Sequence, residues 1–243
     1  MLQDPDELAH LRRELRPASL GTHWPLYASD PRRLDLLTAD EAGFQAALER
    51  IAASLTGVPL DYVLVHFPER GEPWPSVTTV HRRLAHLATL AARLDLRVVL
   101  EPKEALGGSP DGLCAFARTV DALPDGVELC VDVSDWQTAG DNMGQRPPLA
   151  MGAAQIHLHA RHVQPGGPFY RHAAPWVDLP PEAGWTVRNV RPAELDGMVA
   201  GVRRVRVCIE VVHHYLPLLA PSIGAVRRDL SALGWREDTS VTG

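Results

Sequence analysis

The chain has 243 residues, 45% of them hydrophobic, 22% charged and 6% aromatic, with a formal charge of −6. That is enough apolar material for one buried core, and it excludes a disordered tail or a fibrous repeat. The acidic balance, with a pI near 6.0, weighs against a nucleic-acid partner, which a basic surface would serve better.

The N-terminal MLQDPDELAHLRRELRP carries charge but no apolar signal region. Its PDELAHLRREL portion reads as a helix. No apolar run approaches the roughly 20 residues needed to cross a bilayer, so a cytoplasmic chain with no membrane partner is expected. SLGTH then reads as a short strand ending at His23. Phe44, Leu48, Ile51 and Leu55 recur at helical spacing. DYVLVH predicts a buried strand ending at His66. Val80, Leu84, Leu87 and Ala91 predict a second helix, and RVVLE a strand ending at Glu101. GGSPDG has neither the Walker lysine nor the dinucleotide fingerprint spacing, so it reads as a loop and helix start before Leu113, Phe116 and Val120.

Further on, ELCVD ends at Asp132 and AQIH at His157. The stretch from Val163 to Pro192, rich in Gly, Pro and Trp, reads as a long loop over a site. Arg203, Arg204 and Arg206 read as a solvated rim before RVCIE, which ends at Glu210. Strands and helices alternate without a linker, as βα units do, so residues 1–243 read as one domain. Cys114, Cys130 and Cys208 lack CxxC spacing and sit in apolar runs, which favours small buried side chains over a zinc knuckle or a disulfide framework.

The chemistry lies in how the strands end. Continuous apolar runs suit strands buried on both faces of a parallel sheet, and a barrel of such strands gathers their C-terminal ends on one face. Glu101, Asp132, His157 and Glu210 would then share one cup. Singly, His66 reads as well as a strand cap, Glu101 as a loop residue and Glu210 as a salt-bridge partner. Their recurrence at successive strand ends is what points to a divalent metal held by carboxylate and imidazole, such as Mn, Zn, Co or Mg. Trp136, Trp176 and Trp185 could stack on a sugar, although ordinary packing explains each as well. His213 and His214 read as surface residues or as outer partners of Glu210.

These residues, taken in order, resemble the xylose isomerase-like barrel superfamily, and within it the apurinic/apyrimidinic endonuclease branch. THWPLYASDP, VLVHFPE, VVLEPKEALGG, CVDVSDWQTAGDN, QIHLHAR, YRHAAPW and VCIEV are the matching segments. The resemblance implies a TIM-type α/β barrel and places His23, His66, Glu101, Asp132, His157 and Glu210 as metal ligands, with His159 beside His157. Two ligands of the endonucleases are replaced, by Asp135 and Tyr170, and the first two strands of the family lack counterparts before His23. The barrel is therefore expected to be incomplete at the N-terminal side, or completed by another chain such as a second copy.

The quartet Glu101, Asp132, His157 and Glu210 is also similar to the single-metal site of the sugar isomerases and epimerases. It implies a small-molecule substrate, a sugar or polyol, converted through an enediolate. Glu101 and Glu210 would be general base and acid, and Arg171, His172, Asp135 and Trp136 substrate contacts. The alternatives are a metal-dependent phosphodiesterase of the abasic-site type, and a barrel that has lost catalysis and serves as a binding partner.

Overall fold

Apolar strands and helices of period 3.6 alternate in the computed structural model as they do in the sequence. It describes residues 21–23, 40–66, 76–101, 123–134, 136–137, 153–166, 170–182, 184–199, 204–210 and 213–237. The chain forms two compact units, Met1–Leu129 with Ser240–Gly243, and Cys130–Thr239.

In the first unit, β1 (Gly21–His23), β2 (Tyr62–His66), β3 (Arg97–Glu101) and the start of β4 (Val127–Asp132) pair in parallel and in chain order. Parallel strands need crossovers, and a helix supplies one between β1 and β2 and another between β2 and β3. Helix α1 (Glu41–Leu55) starts where the Asp40 carboxylate accepts a hydrogen bond from the Gly43 N–H at 2.7 Å. It stops at Thr56, before Gly57 turns the chain at φ 77°. Ser76 caps α2 (Val77–Arg93) by accepting from the Thr79 N–H at 3.1 Å.

The helical spacing read from the sequence is the buried stripe. Phe44, Leu48, Ile51, Val80, Leu84 and Leu87 close on Val63, Val98 and Leu100 of the sheet. Each such side chain contributes about 1.5–3 kcal/mol by leaving water. Arg83 is buried among them with its guanidinium 5.0 Å from the Phe44 ring centre, a cation–π placement. At the sheet edge, Gly21 lies opposite Tyr62, whose ring occupies the space a Cβ would need.

The second unit holds the end of β4, then β5 (Ala153–Leu158) and β9 (Arg206–Ile209). The last two are parallel, with His157 opposite Cys208. Immediately past β5 the chain enters a different sheet. Here β6 (Ala160–Val163), β7 (Tyr170–Ala173) and β8 (Thr186–Arg188) are antiparallel in the order β7-β6-β8. The loop expected over 163–192 is thus two strands and their turns. YRHA and TVR are too short to show an alternating pattern, and the Gly and Pro residues around them mask the strand signal. One face packs Ala160 and Ala173 on Tyr215 of a 3-10 helix (His213–Leu218). Among its described helices are α3 (Pro192–Met198) and α4 (Leu219–Ala232).

Among the described residues, six strands belong to the parallel sheet, against the eight of a closed barrel. The parallel order is that of the α/β barrel type expected from the sequence. The expected helices at PDELAHLRREL and at Leu113–Val120 lie outside the described residues. No described helix is long and apolar enough to cross a membrane.

Candidate metal centre

The first unit ends two adjacent strands in a buried pair. His66 and Glu101 are in register across β2 and β3. The His66 Nε2 lies 3.0 Å from Glu101 Oε2, with the side chains 5% and 1% exposed. A carboxylate this deeply buried is kept there by hydrogen bonding to a donor, and the imidazole fills that role. His23 ends β1, but its side chain is outside the described residues.

In the second unit, four ligand-type side chains converge. Asp132 closes β4, and its Oδ1 accepts from the Ser134 N–H at 2.7 Å, which fixes the carboxylate. His159 stands at the junction of β5 and β6. Its Nδ1 is 3.3 Å from the Ala160 carbonyl, and its Nε2 is 3.1 Å from Asp132 Oδ2 and 3.2 Å from Ser134 Oγ. A carbonyl can only accept, so Nδ1 carries the proton and Nε2 is the atom turned to the carboxylate. His172, on β7, stacks on His159 and holds Glu210 Oε2 at 3.2 Å from its Nδ1. Glu210 follows β9, where its N–H donates to the Leu158 carbonyl at 3.1 Å.

One ligand atom from each of Asp132, His159, His172 and Glu210 lies within 4.8 Å of the other three. Two nitrogens and two carboxylates without a thiolate suit a divalent ion such as zinc or manganese. Burial alone would depress the His159 pKa. The Asp132 charge, the hydrogen bond to it, the Glu210 charge and the Ala160 carbonyl outweigh burial and raise it above the ordinary 6.5. Negative potential sufficient to hold a proton in a buried position is also what a metal ion would meet.

His157, the imidazole expected as ligand, is placed one step back. Its Nε2 is 3.1 Å from Gln155 Nε2, while Arg206 Nε donates to Gln155 Oε1 at 3.4 Å. With the Gln155 oxygen turned to Arg206, its amide nitrogen donates to His157 Nε2. The His157 Nδ1 then carries the proton and faces Glu210 Oε2 at 3.6 Å. His157 and His172 thus approach the same carboxylate oxygen. The alternation in QIHLHAR puts residues 157 and 159 on one side of an extended chain, which is the signal for His159.

The remaining candidates are spread out. Arg171 is bound to Glu182 at 3.1 Å and lies over the Trp185 ring at 4.3 Å. Adjacent on β7, it faces away from His172. Trp136 is buried. Trp176 donates from Nε1 to the Val190 carbonyl at 2.7 Å, a packing role. His214 is largely exposed, 3.8 Å from Glu182, and Arg204 is exposed as a rim residue should be. Asp135 and the side chains of Tyr170 and His213 lie outside the described residues.

No protein-family model matches the chain, and no curated protein sequence matches it. Solved structures do. The IolI protein with a bound zinc atom superposes at a TM-score of 0.59 and 12% identity, covering 96% of this chain and 82% of that one. A xylose isomerase domain-containing protein from Salmonella typhimurium gives 0.54 and 14%, with the same coverage. The 3-keto-D-glucoside 4-epimerase YcjR from E. coli gives 0.50 and 15%, covering 92% and 84%. At such identities the likeness shows the fold alone, an α/β barrel.

Proposed function

Proceeding from that fold, we propose that the chain is a divalent-metal-dependent isomerase or epimerase of a sugar or related hydroxy-carbonyl compound. The observation that carries the reading is the convergence of Asp132, His159, His172 and Glu210 within one unit. The donor set fits a divalent ion, with those four residues as its holders. When bound, the ion would polarise the substrate oxygens and stabilise negative charge developing on them.

The protein groups supply orientation and proton transfer. Ser134 and the Ala160 carbonyl fix Asp132 and the tautomer of His159, the outer-partner arrangement typical of metal-binding imidazoles. Glu210 is the more open carboxylate, 25% exposed against 2% for Asp132. It is therefore the group placed to take a proton from a substrate carbon and return it. His157 and His172 bracket its Oε2 and hold the carboxylate as its charge changes. Glu101, which the resemblance places as the second proton carrier, belongs to the first unit, where His66 orients it. Its catalytic assignment rests on the resemblance.

Two relatives by fold support this direction, since one is named for a bound zinc and another as a keto-glucoside epimerase. The deciding experiment is metal analysis of the purified chain followed by exchange of substrate C–H for deuterium across a panel of keto-sugars. One divalent ion per chain and metal-dependent exchange are expected, both lost in Glu210→Gln. A chain that binds no divalent ion at micromolar concentrations refutes the proposal.

A further inference from the structure

The two strands that lead into the metal centre carry polar side chains where a buried parallel sheet ordinarily carries apolar ones. Gln155 and His157 on β5 are each 1% exposed, and their register partners on β9 are Arg206 and Cys208. Alternate residues of an extended chain share a side. Gln155, His157 and His159 therefore form one column, and Arg206, Cys208 and Glu210 the next. A path of contacts crosses between the columns. Arg206 Nε donates to Gln155 Oε1 at 3.4 Å, Gln155 Nε2 lies 3.1 Å from His157 Nε2, and His157 Nδ1 lies 3.6 Å from Glu210 Oε2.

Each step has one chemical direction. A guanidinium only donates, so the end of the amide turned to Arg206 is its oxygen. The amide nitrogen is left for His157 and it too only donates, so His157 Nε2 accepts. A neutral imidazole with its lone pair on Nε2 carries the proton on Nδ1. The ring thus turns an N–H toward Glu210, and a nitrogen without a lone pair binds no cation.

We propose that Gln155, oriented by Arg206, is a positioning residue that holds His157 out of the metal's ligand set and makes it a donor toward Glu210. What Glu210 does with that donor rests on the metal-centre reading above, whereas the tautomer is a property of the metal-free chain. The reverse amide orientation would set an NH2 against the guanidinium, donor on donor, and leave buried polar groups badly paired. The positive end of the path reaches Glu210 through two neutral groups, which polarise in series. They steady the carboxylate that the proposed reaction uses as base.

Gln155→Glu inverts the path. A carboxylate only accepts, so it pairs with Arg206 and takes a hydrogen bond from His157 Nε2–H. The proton then leaves Nδ1, whose lone pair faces Glu210 and the cation.

The test is nitrogen NMR of the full chain, isotopically labelled in its histidines, with His157 assigned from the signals lost in His157→Asn. In metal-free, mildly alkaline buffer the parent is expected to show the Nδ1–H tautomer and Gln155→Glu the Nε2–H tautomer. Spin-active cadmium is then added as the divalent probe and read by its scalar coupling to the ring nitrogens. Coupling is expected at His159 and His172 in the parent, and at His157 Nδ1 in Gln155→Glu alone. A parent whose His157 carries Nε2–H, or couples to cadmium, overturns the proposal. So does a Gln155→Glu chain that folds and keeps the parent tautomer. Absent cadmium binding in the parent sinks the metal centre alone, since the tautomers are read without metal and still decide the role of Gln155. Should Gln155→Glu fail to fold, Arg206→Met decides, because Arg206 is only half-buried. Its loss lets the amide present either end, so a mixture of tautomers is expected where the parent has one. A single, unchanged tautomer in Arg206→Met overturns the proposal.

Discussion

His159 and His172 lie ring on ring, with centroids 3.8 Å apart and planes 12° from parallel. One comes from the junction of two sheets and the other from the middle of an antiparallel strand, so the stack ties the antiparallel sheet to the end of the parallel one. Two protonated imidazoles in that position would repel. Each has a carboxylate of its own, Asp132 for His159 and Glu210 for His172, and a single cation among the four would replace both protons.

The first prediction separates His159 from His157. If His159 is a ligand, His159→Asn should weaken zinc binding by more than the roughly 10–100-fold typical of losing an outer partner. His157→Asn, which removes a group that steadies Glu210, should stay within that range. Calorimetric titration of both variants checks the order. The reverse order would return the ligand role to His157.

A second prediction concerns pH in the metal-free chain. The His159 pKa is raised by folding, so its protonated form favours the folded state. That contribution is complete below about pH 6.5 and is lost as pH rises through the raised value. The melting-temperature gap between parent and His159→Asn, measured with chelator present, should therefore shrink as pH increases. With zinc the sign reverses, since the metal requires an unprotonated Nε2 and is displaced as pH falls. A gap that widens with pH in the metal-free protein contradicts the raised pKa.

Much of the fold was legible because its signals are local. The stripe of Phe44, Leu48 and Ile51 and the apolar run ending in Glu101 each state their own period. Asp132 and Glu210 were legible as polar ends of apolar runs. What escaped was long-range pairing. Gln155 and Arg206 are 51 positions apart in the chain, and only the register of β5 and β9 shows them facing one another. His159 was visible beside His157, but the choice between them depends on Gln155, Arg206 and the Ala160 carbonyl, none of which a motif records.

The third prediction tests the first unit's core. Phe44 and Leu84 are each fully buried, so truncation removes transfer energy and leaves a cavity. Phe44→Ala should cost about 3–5 kcal/mol and Leu84→Ala about 2–5 kcal/mol, read by urea unfolding. Phe44→Ala also removes the ring beneath the Arg83 guanidinium, placing it at the upper end. Losses below 1 kcal/mol at both positions would mean that this core is not packed as described.

The fourth prediction distinguishes a substrate contact from a support at Arg171. Its guanidinium is held by Glu182 and the Trp185 ring, and Trp185 lies 4.8 Å from the His162 ring. His162 in turn is hydrogen-bonded to the Tyr215 hydroxyl. This network covers the face of the antiparallel sheet opposite His172, so loosening it should let β7 shift and misplace that imidazole. Glu182→Gln is expected to lower zinc affinity by about tenfold, within the range for outer partners of a metal site. Arg171→Lys, which retains the charge but not the planar stack on Trp185, should have a smaller effect of the same kind. A residue that bound substrate directly would raise KM and leave zinc affinity unchanged, and that pattern in Arg171→Gln would restore the role the sequence suggested.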